Sequence, residues 1–192
     1  YFVVRALNSL SAVRTMENYF RWLMNVVANS NGGHIQPVYG VGLEGDLTEH
    51  IVSSLPGYRG MGPVRRGNQA FEHLQHDSYG NVVLGAAQAF LDCRLLSRPG
   101  VSEFELLERA GQQSLELFDK PDAGMWELRF SAKIHTTSSL MCWAACDRLA
   151  RIAYHLGLRD RYAYWRERSE VIKAVILERA WSEKRQSFVE SF

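Results

Sequence analysis

The chain has 192 residues, of which 46% are hydrophobic and 22% are charged, and its formal net charge is +1. This is the composition of a globular protein with a sizeable core, and its balanced charge predicts neither nucleic acid nor an anionic membrane as a partner. No apolar run approaches the ~20 residues that span a bilayer, and no signal-peptide pattern opens the chain.

The chain contains three cysteines, Cys93, Cys142 and Cys146, which is not the even set that a disulfide framework requires. Cys142 and Cys146 stand four residues apart in a segment with helical periodicity, and we interpret them as core thiols rather than as a pair of metal ligands. Free thiols are typical of a reducing compartment, so the sequence predicts a cytoplasmic protein.

Helical periodicity dominates the chain. Apolar residues recur every three or four positions over residues 1–29, and the turn residues of the segment 29–33 end this predicted helix. The same periodicity predicts helices at about 69–96, 102–118, 137–156 and 158–179. Shorter elements are predicted at 47–54, as a helical turn, and at 180–192, as a hairpin in which Trp181 and Phe188 flank a polar turn.

The connections between these helices differ in length. Residues 56–68 form a loop rich in glycine and proline, and residues 119–136 form a second long loop, whereas other turns are short. Long loops on a rigid scaffold are where binding and catalytic groups concentrate. The sequence therefore predicts an all-α fold of antiparallel helix pairs, with the functional residues at one end.

The second long loop contains the stretch PDAGMWELRF, in which Glu127 follows Trp126 directly after a set of turn-forming residues. A carboxyl group against an indole loses solvation, which disfavours its charged form and lets it keep a proton near neutral pH. Glu127 is then a candidate general acid of the kind that protonates a leaving oxygen in glycoside hydrolysis. The alternative is that Trp126 closes the helix ends and that Glu127 pairs with Arg129.

The first long loop leads into a helix through GYRGMGPVRRGNQAFEHLQHDSYGN. Asn68, Gln75 and Asp77 offer the donors and acceptors that sugar hydroxyls need, and Arg65 offers a planar set of donors. Asp77 and Asn81 stand four residues apart and interrupt an apolar stripe, so this polar pair needs partners from the protein or from a ligand. A hydrogen-bonded tie between helices is the alternative to ligand contact.

The histidines do not form a recognisable metal site. His73 and His76 stand three residues apart, but the segment is not HExxH and no third ligand follows at a diagnostic spacing. The other four histidines are expected at the surface or as helix caps; they are His34, His50, His135 and His155. Since the sequence also lacks a GxSxG elbow, a phosphate-binding loop and a dinucleotide-binding fingerprint, we predict no metal and no cofactor.

Three segments occur in an order and at spacings that resemble a known family: the GYRGMGPVRRGNQAFEHLQHDSYGN loop, PDAGMWELR and HTTSSLMCWAACDRLARIA. Together with LNSLSAVRTMENYFRWL and IQPVYGVGLEGDLTEH, they resemble the bacterial branch of glycoside hydrolase family 15, which contains glucoamylases, glucodextranases and trehalases. The resemblance covers essentially all 192 residues. It implies that the chain forms part of an (α/α)6 barrel, a fold with inner and outer rings of helices and a pocket at one end.

The resemblance also implies roles for individual residues. Members of the family hydrolyse α-glucosides with inversion and use two glutamates. Their general acid matches Glu127 here, and Trp126 matches the indole at the sugar subsite. The other substrate-binding positions that match this sequence are Arg65, Asn68, Gln75, Asp77 and Arg129. The implied partner is an oligosaccharide or disaccharide substrate.

Both ends of the sequence lie within apolar patterns, so we expect the 192 residues to be a fragment of a single catalytic barrel domain, lacking both ends. The family's catalytic base lies well beyond the position that matches Phe192, which predicts little or no activity for these residues alone. Apolar faces left without neighbours would also favour self-association.

Several functions are compatible with the sequence. The first is glucoamylase-like hydrolysis of α-glucosidic bonds in oligo- or polysaccharides, with Glu127 as the acid. The second is a carbohydrate-binding or scaffold protein that has the barrel and its pocket but no catalysis. The third is another sugar-active (α/α)-barrel enzyme, such as a trehalase or a disaccharide phosphorylase.

Overall fold

The computed structural model describes residues 1–30, 33–127 and 131–192, and within these ranges the chain is mainly helical. The helices are α1 (Phe2–Ser9), α2 (Val13–Asn29), α3 (Asp77–Leu91), α4 (Val101–Leu117), α5 (Thr136–His155) and α6 (Arg159–Arg179). Four two-residue strands form two antiparallel pairs: β1 (His50–Ile51) with β2 (Arg65–Arg66), and β3 (Trp181–Ser182) with β4 (Ser187–Phe188). The predicted fold class, all-α with a small hairpin near the C-terminus, is confirmed. Among the described residues no helix has the length and apolarity that crossing a membrane requires.

The chain forms two compact units. The first comprises Tyr1–Ile35 together with Gln75–Phe192, and the second comprises Gln36–Leu74. The second unit is made mostly of loops, which the β1–β2 pair holds together. Its two ends are joined by one side chain, because Nε2 of Gln36 donates to the carbonyl oxygens of Gly45 and Phe71, at 3.1 Å each.

The helices of the first unit alternate between two layers. Helix α3 packs extensively on α5, while α4 packs on both and α6 packs on α5. Burial follows this arrangement, because α3 buries 11 of its 15 residues and α6 buries only 4 of its 21. The inner helices are therefore α3 and α5, and the outer helices are α4 and α6, which is consistent with part of an α/α barrel.

The two inner helices touch at backbone distance. A Cβ added to Gly80 on α3 would lie 2.2 Å from the carbonyl oxygen of Met141 on α5, so only glycine fits there. Small side chains continue the contact on α5, where Cys142 and Cys146 are free and fully buried. Burial raises the pKa of the Cys146 thiol to about 12, which keeps it protonated and confirms the prediction of core thiols.

The sequence predicted one helix over residues 1–29, and this is wrong. The structure has two helices, α1 and α2, which are separated at residues 10–12. Ser11 adopts a left-handed conformation with φ of +57°, and the Ala12 amide donates back to the carbonyl of Leu7 at 2.9 Å. This is a helix-ending motif that usually contains glycine or asparagine at the left-handed position. Because serine occupies that position here, the residue type does not indicate the end of a helix.

Two further predictions needed correction. Residues 47–54 do not form a helical turn, because β1 pairs with β2 in a register that sets His50 opposite Arg66. The helix predicted from 69 to 96 is an α-helix only over α3, and residues Gln69–Glu72 form a separate 3₁₀ turn. Asn68 starts that turn, since its Oδ1 accepts from the Ala70 amide at 3.0 Å. The three later helices agree with their predicted bounds to within a residue.

The connections within the first unit confirm the predicted asymmetry. Inner helices lead to outer ones through the short segments 92–100 and 156–158, whereas α4 leads to α5 through the long segment 118–135. The long segment therefore lies at the end where α5 begins, and the side-chain contacts of this segment bring it to the start of α3 as well.

Candidate functional site

The segment between α4 and α5 is closed by a backbone pair. The amide of Asp122 donates to the carbonyl of Lys133 at 2.9 Å, and the Lys133 amide donates to the carbonyl of Asp122 at 3.1 Å. Inside this closure a tight turn runs from Gly124, with φ of +62°, to Glu127, whose amide donates to the Gly124 carbonyl at 3.2 Å. Trp126 and Glu127 are the last two residues of this turn.

Gly124 is required for two reasons. Its positive φ disfavours other residues, and a Cβ added to it would lie 2.7 Å from the Nε2 and Cδ2 atoms of His135. The turn therefore rests directly on the imidazole of His135. This contact explains why a glycine stands three residues before the candidate acid.

Glu127 is exposed, and among the described residues one side-chain hydrogen bond holds it. Nε2 of Gln75, the residue two positions before α3, donates to Oε1 of Glu127 at 3.1 Å. Glu127 itself has a φ of +52°, an unfavourable conformation for a residue with a side chain. Backbone strain of this kind, of order 1–3 kcal/mol, concentrates at functional sites where the surrounding structure enforces it.

The indole of Trp126 does not cover Glu127 in the predicted way. Its side chain is 73% exposed and Glu127 is exposed as well, so the expected desolvation of the carboxyl group by its neighbour is wrong. The exposed ring instead offers a flat apolar surface next to the carboxylate, together with the half-exposed Met125.

Asp77 opens α3 and lies near two other carboxylates. Its Oδ2 accepts a hydrogen bond from Nδ2 of Asn81 at 3.2 Å, so the polar pair predicted on this stripe satisfies itself in part. Burial raises the pKa of Asp77, and the negative charges of Asp122 and Glu127 raise it further. A carboxyl group in this environment holds a proton more readily than an exposed one does.

Asp122 is the most deeply buried acidic residue at this end of the unit, with 1% of its surface exposed. Its Oδ2 accepts from the amide of His76 at 2.8 Å and from Oγ of Ser138 at 2.7 Å. These contacts join the starts of α3 and α5 to the segment that carries Glu127. From the sequence Asp122 was interpreted only as a turn former, because its partners lie 46 and 16 residues away.

His135 is also more important than predicted. It is the residue before α5, as expected of a cap, but it is buried to 5% exposure rather than at the surface. Its Nδ1 lies 2.5 Å from Oε1 of Glu190. Backbone hydrogen bonds tie the same two segments, from Thr136 N to Glu190 O at 2.9 Å and from Phe192 N to Ile134 O at 3.0 Å. No sequence motif marks this pairing.

Three predicted site residues are not among the described residues of the first unit. Arg65 and Asn68 belong to the second unit, where the exposed Arg65 has its Nε 3.7 Å from Oε2 of Glu49 and Asn68 caps the 3₁₀ turn. Arg129 lies outside the described residues. Within the first unit the structure thus brings together Gln75, Asp77 and Glu127, with Trp126 beside them.

The paired histidines show no metal-binding arrangement. His76 is buried at the start of α3, and burial lowers its pKa, an effect that the charge of Asp122 partly offsets. Across the described ranges no group of three or more histidine, cysteine or acidic side chains is placed to hold a metal ion. The chemistry that the described site offers is that of carboxyl groups and hydrogen bonds.

Comparison with known proteins gives one family. Residues 1–192 match the family described as glycosyl hydrolases family 15. Similar relatives include a protein named trehalase from Mycobacterium tuberculosis, 33% identical over 92% of this chain and 26% of that protein. A protein named trehalase from Mycolicibacterium smegmatis is 31% identical over 93% of this chain and 26% of that protein. Another protein named trehalase, from Thermoplasma volcanium, is 29% identical over 100% of this chain and 30% of that protein. The chain spans about a quarter to a third of the length of these relatives, and no solved structure matches it.

Proposed function

Because the chain belongs to glycosyl hydrolases family 15, we propose that the full-length protein is an inverting α-glucoside hydrolase in which Glu127 is the general acid. The observation that carries the proposal is the placement of Glu127. Its carboxylate is exposed on a strained turn, is oriented by the Gln75 amide, and stands beside a second carboxyl group, Asp77. Such an arrangement is typical of a site built for proton transfer.

The hydrogen bond from Gln75 assigns different tasks to the two oxygens of Glu127. Oε1 accepts from the amide and is fixed in place. Oε2 carries the proton and delivers it to the glycosidic oxygen as the bond from that oxygen to the anomeric carbon breaks. Water attacks that carbon from the opposite face and inverts it, and a second carboxylate ~6.5–9.5 Å from the first takes the proton of the water. None of the described residues is assigned as this second carboxylate.

The sugar ring would be bound by groups around this carboxyl. The exposed indole of Trp126 offers a face for the apolar side of a glucose ring, and Asp77 offers hydrogen bonds to hydroxyl groups. Arg65, Asn68 and Arg129 remain proposed substrate-binding residues because they match the family's positions. Their contribution can be tested by alanine substitution and KM.

The substrate we propose is a disaccharide, with trehalose favoured over starch. The support is that several relatives with 26–33% identity are named trehalases, among them proteins from bacteria and archaea. Glucoamylase-like hydrolysis of maltose, isomaltose or starch is the competing specificity. Glucose release by the full-length protein from these four substrates decides between them, and turnover that depends on phosphate would indicate a phosphorylase instead.

The test of Glu127 is its replacement by glutamine. Glu127→Gln retains the size and the hydrogen bond from Gln75 but cannot donate the proton, so kcat on trehalose should fall by roughly 10²–10⁴-fold, while KM changes little. On α-glucosyl fluoride, whose leaving group needs little protonation, the loss should be much smaller. The control is Glu178→Gln, an exposed position on α6, which should leave both activities intact. Equal losses on the two substrates, or no loss, would end the assignment.

A further inference from the structure

Asp122 has contacts that a simple turn residue does not need. One oxygen of its carboxylate accepts two hydrogen bonds, from the backbone amide of His76 and from the hydroxyl of Ser138. Its own amide and carbonyl both pair with Lys133. One buried side chain thus fixes three elements: the start of α3, the first turn of α5 and the segment 118–135.

The charge of Asp122 lies between two helix beginnings. Both α3 and α5 start next to it, and amides and partial positive charge at helix N-termini stabilise a carboxylate. Within the described part of the chain no lysine or arginine forms an ion pair with Asp122. The contacts of the Asp122 carboxyl group in the described part of the chain are hydrogen bonds, which a neutral acceptor of the same size can also accept.

The contacts of Asp122 determine both ends of the hydrogen bond that holds Glu127. His76 directly follows Gln75, whose side chain is the donor to Glu127. The turn that ends at Glu127 begins two residues after Asp122. If the tie between Asp122 and the His76 amide is lost, the donor and the acceptor are each free to move relative to the other.

We propose that Asp122 is a positioning residue for the reaction, which holds Gln75 and Glu127 in register so that the proton reaches the glycosidic oxygen. The inference rests on the proposed role of Glu127. It assigns Asp122 no contact with the substrate. Displacement of a catalytic group by about 1 Å is enough to lower a rate by roughly 100-fold.

Four substitutions in the full-length protein test the proposal. Asp122→Ala removes the acceptor, and kcat on trehalose should fall about 100-fold with KM nearly unchanged. Asp122→Asn keeps an acceptor oxygen for both donors and should restore at least a tenth of the wild-type kcat. Ser138→Ala removes one of the two bonds and should cost less than tenfold. The matched control is Ser139→Ala, a buried neighbour whose hydroxyl donates to the carbonyls of Phe118 and His135 rather than to Asp122, and it should leave kcat unchanged.

The substrate dependence separates positioning from general damage to the fold. If Asp122 acts through Glu127, the Asp122→Ala variant should lose little on α-glucosyl fluoride, and the double variant with Glu127→Gln should have no lower kcat on trehalose than Glu127→Gln alone. Equal losses on both substrates, or a wild-type kcat, overturn the proposal. A crystal structure of Asp122→Asn or Asp122→Ala gives a readout that needs no turnover, because an unmoved Glu127 in the alanine variant also overturns it. If Glu127→Gln is fully active, the proposed function fails, and this structure still decides whether Asp122 positions the carboxylate.

Discussion

Carboxylates at the two ends of the first unit have opposite surroundings. Toward the end with short connections, Asp147 on α5 has a side chain that is only 4% exposed and contacts three arginines: Arg148, Arg151 at 3.0 Å and Arg166 at 3.3 Å. Asp92, directly after α3, has a comparable partner in Arg94, which lies 2.6 Å away and holds the pKa of that carboxyl well below its usual range. Both carboxylates therefore belong to ion pairs whose loss would destabilise the fold.

At the end with the long segment, Asp77 lies near the acidic groups of Asp122 and Glu127 instead. Among the described residues, Asp77, Asp122 and Glu127 have no arginine or lysine within ion-pair distance, and the pKa of Asp77 is raised. Carboxyl side chains lie at both ends, so the neighbours of each carboxyl group decide what it contributes. Carboxyl groups paired with a cation serve stability, whereas a carboxyl group whose pKa is raised by burial and by neighbouring carboxylates, as that of Asp77 is, is a candidate for proton chemistry.

The largest stability effect should come from breaking the Asp147 cluster. Asp147→Ala leaves three arginines without their shared anion, and since these side chains are 30–61% exposed they can hydrate in part. We expect the free energy of unfolding to fall by about 2 kcal/mol, toward the lower end for a broken buried pair. Urea unfolding of the full-length protein measures it, and kcat on trehalose of the folded variant should stay at the wild-type value.

The matched comparison for Asp147→Ala is Asp122→Ala, the same substitution at the other end. The two variants should differ in kind: the first loses stability and keeps activity, and the second loses kcat on trehalose far more than its loss of stability explains. A large loss of kcat in folded Asp147→Ala would show that the two ends are not functionally distinct.

A smaller effect of opposite sign is expected at Asp77. Because its folded pKa is raised, the folded state binds the proton more tightly than the unfolded state does, and stability is lost as pH rises from the unfolded pKa through the folded one. Asp77→Asn keeps an acceptor for Asn81 and removes the charge. The variant should therefore be more stable than wild type at pH 7, by about 1 kcal/mol, and about equal to it near pH 3. Calorimetry at the two pH values measures this, and lower stability at pH 7 would contradict it.

The sequence predicted the helices better than it predicted the site. Helices α4, α5 and α6 begin and end within a residue of their predicted bounds. The buried residues of α6, for example, recur every three or four positions, at Trp165, Ser169, Ile172 and Ile176. The 69–96 prediction failed because Asn68 begins a local 3₁₀ turn, a side-chain to backbone contact that periodicity does not report.

The site was predictable only where a local motif carried it. The turn with Trp126 and Glu127 was found because its residues are adjacent. Asp77 was found, with Asn81, as a polar interruption of an apolar stripe, and Gln75 was found as one of the side chains that offer hydrogen bonds to sugar hydroxyls. Asp122 and His135 were misread, since their roles depend on partners that the chain brings near only after α3 and α5 have packed. Exposure of the Trp126 indole likewise depends on the backbone of the turn, where Glu127 takes a left-handed conformation.

The smallest predicted effect sharpens the contrast between Asp92 and Asp77. Because Arg94 lowers the folded pKa of Asp92, this residue contributes stability above its unfolded pKa of ~4, and that stability is lost as pH falls through the folded pKa. Asp92→Asn should lower the melting temperature at pH 7 by about 2 °C and should approach wild type as pH falls toward 2. Both Asp92→Asn and Asp77→Asn thus converge on wild type in acid, from opposite sides at pH 7. Shifts of the same sign at pH 7 would mean that the surroundings of the two carboxylates do not set their effects on stability.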